Sequence, residues 1–302
     1  MNKKFLNPLV AAALLAASIP ALAQSMEDVE INVESVTDDV HVLTGRGGNL
    51  GLVVTEEGAF LVDDQYAPLT DKILAAIRSV TDQPVKFVLN THWHGDHTGG
   101  NENLAEKGTL VVAHDNVRER MSSEQVNEFF GRTTPASPDA ALSVVTFNDA
   151  ISFHLGGHEI RSFHVPNAHT DGDSVVYLPG SNVIHAGDIV FYGLYPFVDV
   201  DSGGSLSGMI SAVERIAELA GDDTAIITGH GGPVIDREQL LGYHQMLTTV
   251  QERLGSAIEE GLSLEEIQAA GITDEYDEQW GGGFIPPDRW IELLYRDATE
   301  TP

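Results

Sequence analysis

The stretch that decides the fold is His92-Trp93-His94-Gly95-Asp96-His97, which follows directly on the apolar run Val85–Leu89. That run predicts a buried strand. Alternation at the strand end places the first two histidines on one side, and a tight turn at the glycine lets the aspartate and the last histidine point back toward them. Four side chains that carry nitrogen or oxygen donors therefore converge within six residues.

Imidazole and carboxylate donors without sulfur suit zinc, with manganese or iron as alternatives. The chain contains no Cys, so thiolate ligands, a Cys nucleophile and disulfide bonds are all excluded. A polar loop of satisfied side chains is the structural alternative. Three histidines and an aspartate packed this densely would, however, repel one another or leave polar groups unpaired, which favours a metal site.

Three further candidate ligands follow predicted strands elsewhere in the chain. They are His169 after Glu159–Val165, Asp188 after Asn182–His185, and His230 after Ala225–Thr228. Loops above a rigid sheet are the usual way to bring distant residues together, and neighbouring glycines permit sharp turns there. Taken singly, a loop histidine is more often a surface residue and an aspartate beside glycine is often a turn former. Together the three would complete the ligand set.

Around these motifs, short β-rich runs alternate with helical stretches in two similar halves. The first half predicts strands at Val40–Thr44, Leu50–Thr55, Ala59–Val62, Val85–Leu89 and Thr109–Val112, with helices at Pro68–Val80 and from about Asn116 to Phe130. After a polar loop at 131–139, the second half predicts strands at Leu142–Phe147, Ile151–Leu155, Glu159–Val165, Ser174–Leu178, Asn182–His185 and Ala225–Thr228, with a helix at Leu206–Leu219. This order predicts an α/β fold of stacked sheets covered outside by helices.

The charge of the chain excludes several classes of partner. It has 46 Asp and Glu against 16 Lys and Arg, a formal net charge of -30. Such a surface repels polyanions, so nucleic acid and anionic membranes are poor partners, and a small-molecule substrate is expected instead. The 42% of apolar residues is sufficient for a sizeable core.

The N-terminus has the pattern of a signal peptide. Lys3 and Lys4 precede an apolar run from Phe5 to Leu22, and Ala21-Leu22-Ala23 offers the small-x-small sequence at which signal peptidase cuts. A membrane anchor is the alternative, but two prolines interrupt the run. We expect residues 1–23 to be removed, which makes the mature protein periplasmic or secreted, with no membrane attachment.

These motifs together resemble the metallo-β-lactamase superfamily. The resemblance consists of an acid at the end of the strand Phe60–Asp63, then His-x-His-x-Asp-His, a separate His, a separate Asp and a final Gly-His, and it covers nearly all of 29–230. It implies a four-layer αβ/βα sandwich. The mature chain, 24–302, would then be one domain with a helical, acidic extension from about residue 236.

The resemblance also assigns roles to the candidate residues. It implies that His92, His94 and His169 bind one Zn²⁺ ion, that Asp96, His97 and His230 bind a second, and that Asp188 bridges the two. Asp96 would also act in catalysis by orienting the attacking hydroxide, and Asp63 would be a buried acid that supports the histidine turn from behind.

The substrate pocket is less clearly marked than the ligands. The loop after Asp188 contains the aromatic residues Phe191, Tyr192 and Tyr195, which form either a wall of the substrate pocket or a hydrophobic plug. Trp280, near the C-terminus, either closes over that pocket or belongs to a link between two helices. The cysteine-using β-lactamases have a thiolate where Asp188 stands, and their substrate-binding lysine has no counterpart in 189–193. Arg46, in a Gly-rich turn, or the aromatic loop itself is a candidate substitute.

The sequence therefore predicts an exported dinuclear zinc hydrolase that opens the amide bond of β-lactams. Alternatives are a thioester or lactone hydrolase similar to glyoxalase II, a sulfatase, and a generic periplasmic hydrolase associated with quinoproteins. A non-enzymatic metal-binding protein is the alternative from a different class.

Mass spectrometry of the protein from its native host should find an N-terminus at Gln24, within a residue or two, because the cleavage pattern ends at Ala23. An intact Met1 on protein in the cytoplasmic fraction would contradict export.

Overall fold

The structure is a computed structural model that describes residues 26–300. The predicted signal peptide and its cleavage site lie outside the described residues. Strands are numbered in chain order: β1 Asn32–Ser35, β2 Val40–Thr44, β3 Leu50–Thr55, β4 Gly58–Val62, β5 Val85–Leu89, β6 Leu110–His114, β7 Gln125–Asn127, β8 Arg132–Thr134, β9 Val145–Phe147, β10 Ala150–Leu155, β11 His158–His164, β12 Ser174–Leu178, β13 Val183–His185, β14 Phe191–Tyr192, β15 Ala225–Ile227, β16 His230–Gly231 and β17 Val234–Ile235.

The helices occupy the connections and the C-terminal part. They are α1 Thr70–Arg78, α2 Gly95–Thr98, α3 Asn101–Ala105, α4 Asp115–Met121, α5 Leu206–Leu219, α6 Arg237–Glu259, α7 Leu264–Ala269, α8 Asp274–Trp280 and α9 Pro287–Glu300. Short 3-10 turns lie at Met26–Asp28, Ala67–Leu69, Asp139–Ala141, Gly187–Ile189 and Val200–Ser202. None of the helices between residues 26 and 300 combines the length and apolar character needed to cross a bilayer.

Two large sheets form the centre of the molecule. The first has the order β1-β2-β3-β4-β5-β6-β9, and the second has the order β10-β11-β12-β13-β15-β17. The first begins as an antiparallel meander and continues as parallel pairs from β4 to β9. In the second, β13 and β15 are parallel while the other neighbours are antiparallel. Consequently β4 and β5 end at the same end of the first sheet, and β11, β13 and β15 end at the same end of the second.

The buried side chains show that the sheets stack as layers. Phe60 and Val62 of the first sheet share one core cluster with Val176 and Ile227 of the second, so the two sheets face each other. The other face of the first sheet packs on α1, and the other face of the second packs on α5, α6 and α9. The order helix, sheet, sheet, helix confirms the four-layer αβ/βα architecture.

One predicted helix is corrected by the structure. The helix expected from Asn116 to Phe130 ends at Met121, and the following residues form the antiparallel hairpin of β7 and β8. Ser122 helps to end the helix because its hydroxyl donates to the carbonyl of Glu119 at 2.7 Å. We call residues 125–134 the roof hairpin.

Replacing Phe60 with Ala should lower the free energy of unfolding by about 3–5 kcal/mol, because it empties a fully buried site between the sheets. The Phe60 ring has Phe153 at 4.9 Å and Phe87 at 6.0 Å between ring centroids. Phe284→Ala is the matched control, since that ring is 58% exposed. Denaturant unfolding of both variants checks this, and equal effects would contradict the role given to the inter-sheet core.

Candidate metal centre

All seven candidate ligands lie at the side of the molecule where β4, β5, β11, β13 and β15 end. The structure places them in two groups, His92, His94, His169 and Asp188 in one, and Asp96, His97 and His230 in the other. Within each group the candidate ligand atoms lie within 4.8 Å of one another. Residues up to 138 positions apart in sequence (230 − 92) are thereby brought into one site.

The first group is largely buried beneath the pocket. Nδ1 of His94 lies 2.9 Å from Nε2 of His169. The Asp188 carboxylate is 3.6 Å from Nε2 of His169 and 3.7 Å from Nε2 of His92. Three imidazoles and one carboxylate oxygen thus surround a common point, as zinc ligands do.

The second group shares Asp188 with the first. Nε2 of His230 is 3.3 Å from Asp188 and 3.3 Å from Asp96. Nε2 of His97 is 3.1 Å from the other Asp188 oxygen, Oδ1. Because its two oxygens reach members of both groups, Asp188 occupies the position that a bridging ligand requires.

The hydrogen bonds behind the ligands test whether these residues fit a metal. Nδ1 of His169 donates to the carbonyl of Phe197 at 2.7 Å, and Nε2 of His94 lies 2.9 Å from Asp199 Oδ2, to which it donates. The inward nitrogens of these two imidazoles then both present lone pairs to each other. A cation between them, either a proton shared by the two nitrogens or a metal ion bound by both, relieves that repulsion.

The buried Nε2 atom of His92 also indicates that these residues fit a metal ion. Thr91 Oγ1 donates to Asp63 Oδ2 at 2.8 Å, so His92 Nδ1 must donate to Thr91 Oγ1, which lies at 3.1 Å. Nε2 of His92 therefore carries a lone pair, and this fully buried atom has no hydrogen-bond partner within the described residues. A buried acceptor without a partner is costly, and a metal ion would satisfy it.

The histidines of the site fall into two groups, one with a lowered and one with a raised pKa. Burial lowers the pKa of His169 to about 4, although the charge of Asp188 opposes this. For His230 burial also disfavours the charged form, but Asp188 and Asp96 outweigh it and raise the pKa to about 9. The same carboxylates raise the pKa of His97 against its burial. His230 is therefore protonated at neutral pH when no metal is bound, and the nearby carboxylates favour the charged form of His97 as well.

Asp63 holds the histidine turn in place from behind. Its carboxylate accepts from the Thr91 backbone N–H at 2.7 Å and from Nδ1 of His97 at 2.8 Å. It reaches both because the chain turns sharply after β4, with Asp63 at φ 61°, a left-handed conformation that costs energy for a residue with a Cβ. The structure thus places Asp63 in contact with the histidine turn.

Two glycines permit the backbone to approach the ligands closely. A Cβ added at Gly48 would lie 2.1 Å from the His97 ring, and one at Gly229 would lie 2.2 Å from Asp188 Oδ1. Real Cβ contacts are never this short, so any larger residue would displace a ligand side chain.

Sequence reasoning missed Asp199. This buried carboxylate accepts from His94 through one oxygen and from Nδ2 of Asn127, in the roof hairpin, at 3.0 Å through the other. The burial of Asp199 opposes its ionisation, but the hydrogen bond from His94 lowers its pKa below the usual range. The segment Val198-Asp199-Val200-Asp201 offered only an alternation of acids with valines, which by itself predicts no contact with a histidine 105 residues away.

The ligands form the floor of an open pocket of about 570 Å³. His94, Asp96, Asp188 and His230 line its floor, and its apolar walls are Trp93, Met121, Phe130, Phe191, Phe197 and Phe284. The roof hairpin forms one side. The pocket therefore combines aromatic side chains with polar residues of the roof hairpin above a polar base.

Only one of the four predicted wall residues lies in this pocket. Phe191 lines it, whereas Tyr192, Tyr195 and Trp280 do not. Tyr195 is buried against Trp290 with ring centroids 4.2 Å apart, and Trp280 packs on Tyr192 and Tyr243. Tyr195 and Trp280 are thus buried in the core and Tyr192 is partly buried against it, because α8 and α9 pack onto the loop that follows Asp188.

Comparison with known proteins agrees with this geometry. The profile of the Metallo-beta-lactamase superfamily matches residues 43–235. A linear primary-alkylsulfatase of a Pseudomonas species is 23% identical over 80% of this chain and 49% of its own length. The type 2 metallo-beta-lactamase of Bacillus cereus is 25% identical over 63% of this chain and 70% of its own length. A hydroxyacylglutathione hydrolase of Pelagibacter ubique is 28% identical over 48% of this chain and 52% of its own length.

Solved structures share the fold. A metallo-beta-lactamase from Pontibacter korlensis superposes with a TM-score of 0.59 at 24% identity, over 72% of this chain and 99% of that protein. A sec-alkylsulfatase from a Pseudomonas species superposes with a TM-score of 0.66 at 18% identity, over 90% of this chain and 52% of that protein. The chain thus spans about half the length of both alkylsulfatases.

Metal binding should release protons, because the carboxylates of the site favour the protonated forms of His230 and His97, and a protonated imidazole must lose its proton to become a ligand. We expect at least about one proton per chain from these side chains near pH 7. The part contributed by His230 should disappear as the pH rises through about 9. Zinc titrations by calorimetry in buffers of different ionisation enthalpy measure this release. Absence of any release near pH 7 would contradict the charge distribution described above.

Proposed function

The chain belongs to the metallo-beta-lactamase superfamily of metal-dependent hydrolases, and we propose that it is an exported enzyme that uses two zinc ions to open the amide bond of β-lactams. One observation carries this proposal. Two groups of donor atoms, joined by Asp188, lie on the floor of an open pocket large enough for a small organic substrate.

The donor set favours a pair of zinc ions. His92, His94 and His169 would hold one ion, Asp96, His97 and His230 the other, and Asp188 both. Nitrogen and carboxylate oxygen are ordinary zinc ligands, and a shared carboxylate is a common feature of two-metal hydrolytic sites. A site that only stabilised the fold would be closed, whereas three of these side chains, His94, Asp96 and His230, remain about one-fifth exposed toward the pocket.

The residues around the ions would divide the remaining tasks of hydrolysis. When bound, a zinc pair lowers the pKa of water toward about 7 and polarises a carbonyl group. The partly exposed carboxylate of Asp96 can accept a hydrogen bond from the attacking water and orient it toward the substrate. Asp199 fixes the ring of His94, and Phe191 and Phe197 exclude bulk water beside the ligands.

An ester-type substrate is the second candidate. The alkylsulfatase match extends over 80% of the chain, further than the β-lactamase match, and the apolar pocket wall could hold an alkyl chain. The aspartate at position 188, where cysteine-using β-lactamases have a thiolate, similarly supports a thioester or lactone substrate. Export, inferred from 1–23, supports the β-lactam proposal over an intracellular glutathione thioester.

A substrate panel separates these activities. Zinc-loaded protein should hydrolyse at least one of a penicillin, a cephalosporin and a carbapenem faster than a lactone, a primary alkyl sulfate and a glutathione thioester. His94→Ala should lose at least about 10²-fold in kcat/KM, because it removes a ligand. His154→Ala, an exposed histidine outside both clusters, should retain full activity.

Inert β-lactams together with rapid turnover of the sulfate, lactone or thioester would reject the β-lactam proposal and keep the metallohydrolase assignment. Unchanged turnover after complete removal of metal by a chelator would reject a metal-dependent mechanism.

A further inference from the structure

Among the described residues, two arginines line the pocket of a chain whose net charge is -30. Within the described residues, Arg120 and Arg132 belong to the pocket wall and no lysine does. Arg46, which the sequence suggested as a binding residue for a substrate carboxylate, does not line the pocket, although its neighbour Gly47 does. The two arginines differ in whether their charge is available to a ligand.

Arg120 is already neutralised by an internal partner. Nε and Nη2 of its guanidinium donate to the two oxygens of Asp171 at 2.7 Å and 2.6 Å, and Nη1 donates to Gln125 at 3.0 Å. This bidentate ion pair satisfies hydrogen-bond donors that lie in the plane of the guanidinium. Arg120 therefore supports the roof hairpin and offers no free charge to a substrate.

The guanidinium of Arg132, by contrast, has no acid opposite it. Its carbon lies 5.6 Å from the centroid of the Phe130 ring, and no carboxylate between residues 26 and 300 forms an ion pair with it. Contact with the face of an aromatic ring orients a guanidinium but leaves its N–H donors available. Arg132 thus presents unused hydrogen-bond donors and a full positive charge at the mouth of the pocket.

The roof hairpin that carries Arg132 is firmly attached to the site. Asn127 donates to Asp199, which is also the partner of the candidate ligand His94. The backbone N–H of Glu128 donates to Asp201 at 2.8 Å. These bonds fix the height of the hairpin above the ligands, so Arg132 has a defined place relative to the floor.

The surface beside Arg132 is apolar and open. Phe130 and Phe284 are 36% and 58% exposed, and their ring centroids lie 6.5 Å apart. Phe130 also packs on Phe197 of the pocket wall, at 5.0 Å between centroids. Aromatic surface therefore continues from the rim beside Arg132 to a side chain that contacts the candidate ligand His94.

We propose that Arg132 binds an anionic oxygen group of the substrate, remote from the bond that is cleaved, and that the pocket selects amphipathic monoanions. The apolar part of such a molecule would lie on Phe130 and Phe284, its carboxylate would accept hydrogen bonds from Arg132, and its reactive carbonyl would reach the floor. This assignment of a substrate class rests on the proposed hydrolytic function of the same pocket. Arg132 would be a specificity-determining residue.

Binding can be measured separately from turnover because Trp93 lies in the pocket wall, whereas Trp280 and Trp290 are buried in the core. The probes are 4-phenylbutyrate and its neutral amide, 4-phenylbutanamide, titrated into zinc-loaded protein while tryptophan fluorescence is recorded. Trp93→Phe verifies the source of the signal.

Arg132→Ala should weaken binding of the carboxylate about 10-fold and change binding of the amide less than about twofold, as expected for loss of a charge-assisted hydrogen bond. Arg132→Lys, which keeps the charge but not the planar donor pair, should lose about threefold. Arg78→Ala removes the same charge from the exposed end of α1 and should change neither affinity by more than about twofold.

Equal affinity of Arg132→Ala and the unaltered protein for the carboxylate would overturn the proposal, because it would mean that the metals or the walls alone bind the probe. An equal loss for both probes would also overturn it, since that indicates damage to the hairpin. If no substrate of the panel is hydrolysed but the carboxylate preference depends on Arg132, the proposed function fails and the binding role stands.

With any substrate that is hydrolysed, the same variant should raise KM for the free carboxylate about 10-fold and leave kcat within about twofold, because a remote group contributes equally in ground and transition states. The methyl ester of that substrate should be unaffected. A loss confined to kcat would contradict a role in binding.

Discussion

The central constraint in this structure is the repulsion between two imidazole nitrogens, one of His94 and one of His169, whose lone pairs point at each other. The outer nitrogens of His94 and His169 donate to Asp199 and to a backbone carbonyl, so their inner nitrogens meet as two acceptors 2.9 Å apart. Such an arrangement is unfavourable unless a cation lies between them. Several features of the fold hold this donor set together. They are the ends of strands from two sheets, the strained turn at Asp63, and the glycines at 48 and 229.

The same donor set is enclosed on one side and accessible on the other. His92, His97 and His169 are fully buried, while His94, Asp96 and His230 face the pocket. Asp199 joins this donor set to the pocket wall, because it accepts a hydrogen bond from His94 through one oxygen and from Asn127 of the roof hairpin through the other. The position of the pocket wall is therefore set by a contact to a candidate ligand, which relates substrate selection to the geometry of the centre.

Much of the fold and of the ligand set could be predicted because the signals were local. Periodicity located most strands, and the sequence His92 to His97 places four donors within one turn. The roof hairpin was predicted as helix, since its three-residue strands are too short to show alternation. Asp199 and the true pocket wall depend on how distant segments pack, and Tyr195 was assigned to the wall only because it follows Asp188 in sequence. Tertiary packing of this kind has no local signature.

Diffraction from crystals of the zinc-loaded protein, with data collected on both sides of the zinc absorption edge, tests the central claim most directly. The account predicts two anomalous peaks per chain, about 3.5–4 Å apart, with Asp188 between them. One peak among His92, His94 and His169 would leave a mononuclear site and remove the bridging role of Asp188. Two peaks elsewhere, or none in protein that hydrolyses substrate, would contradict the account.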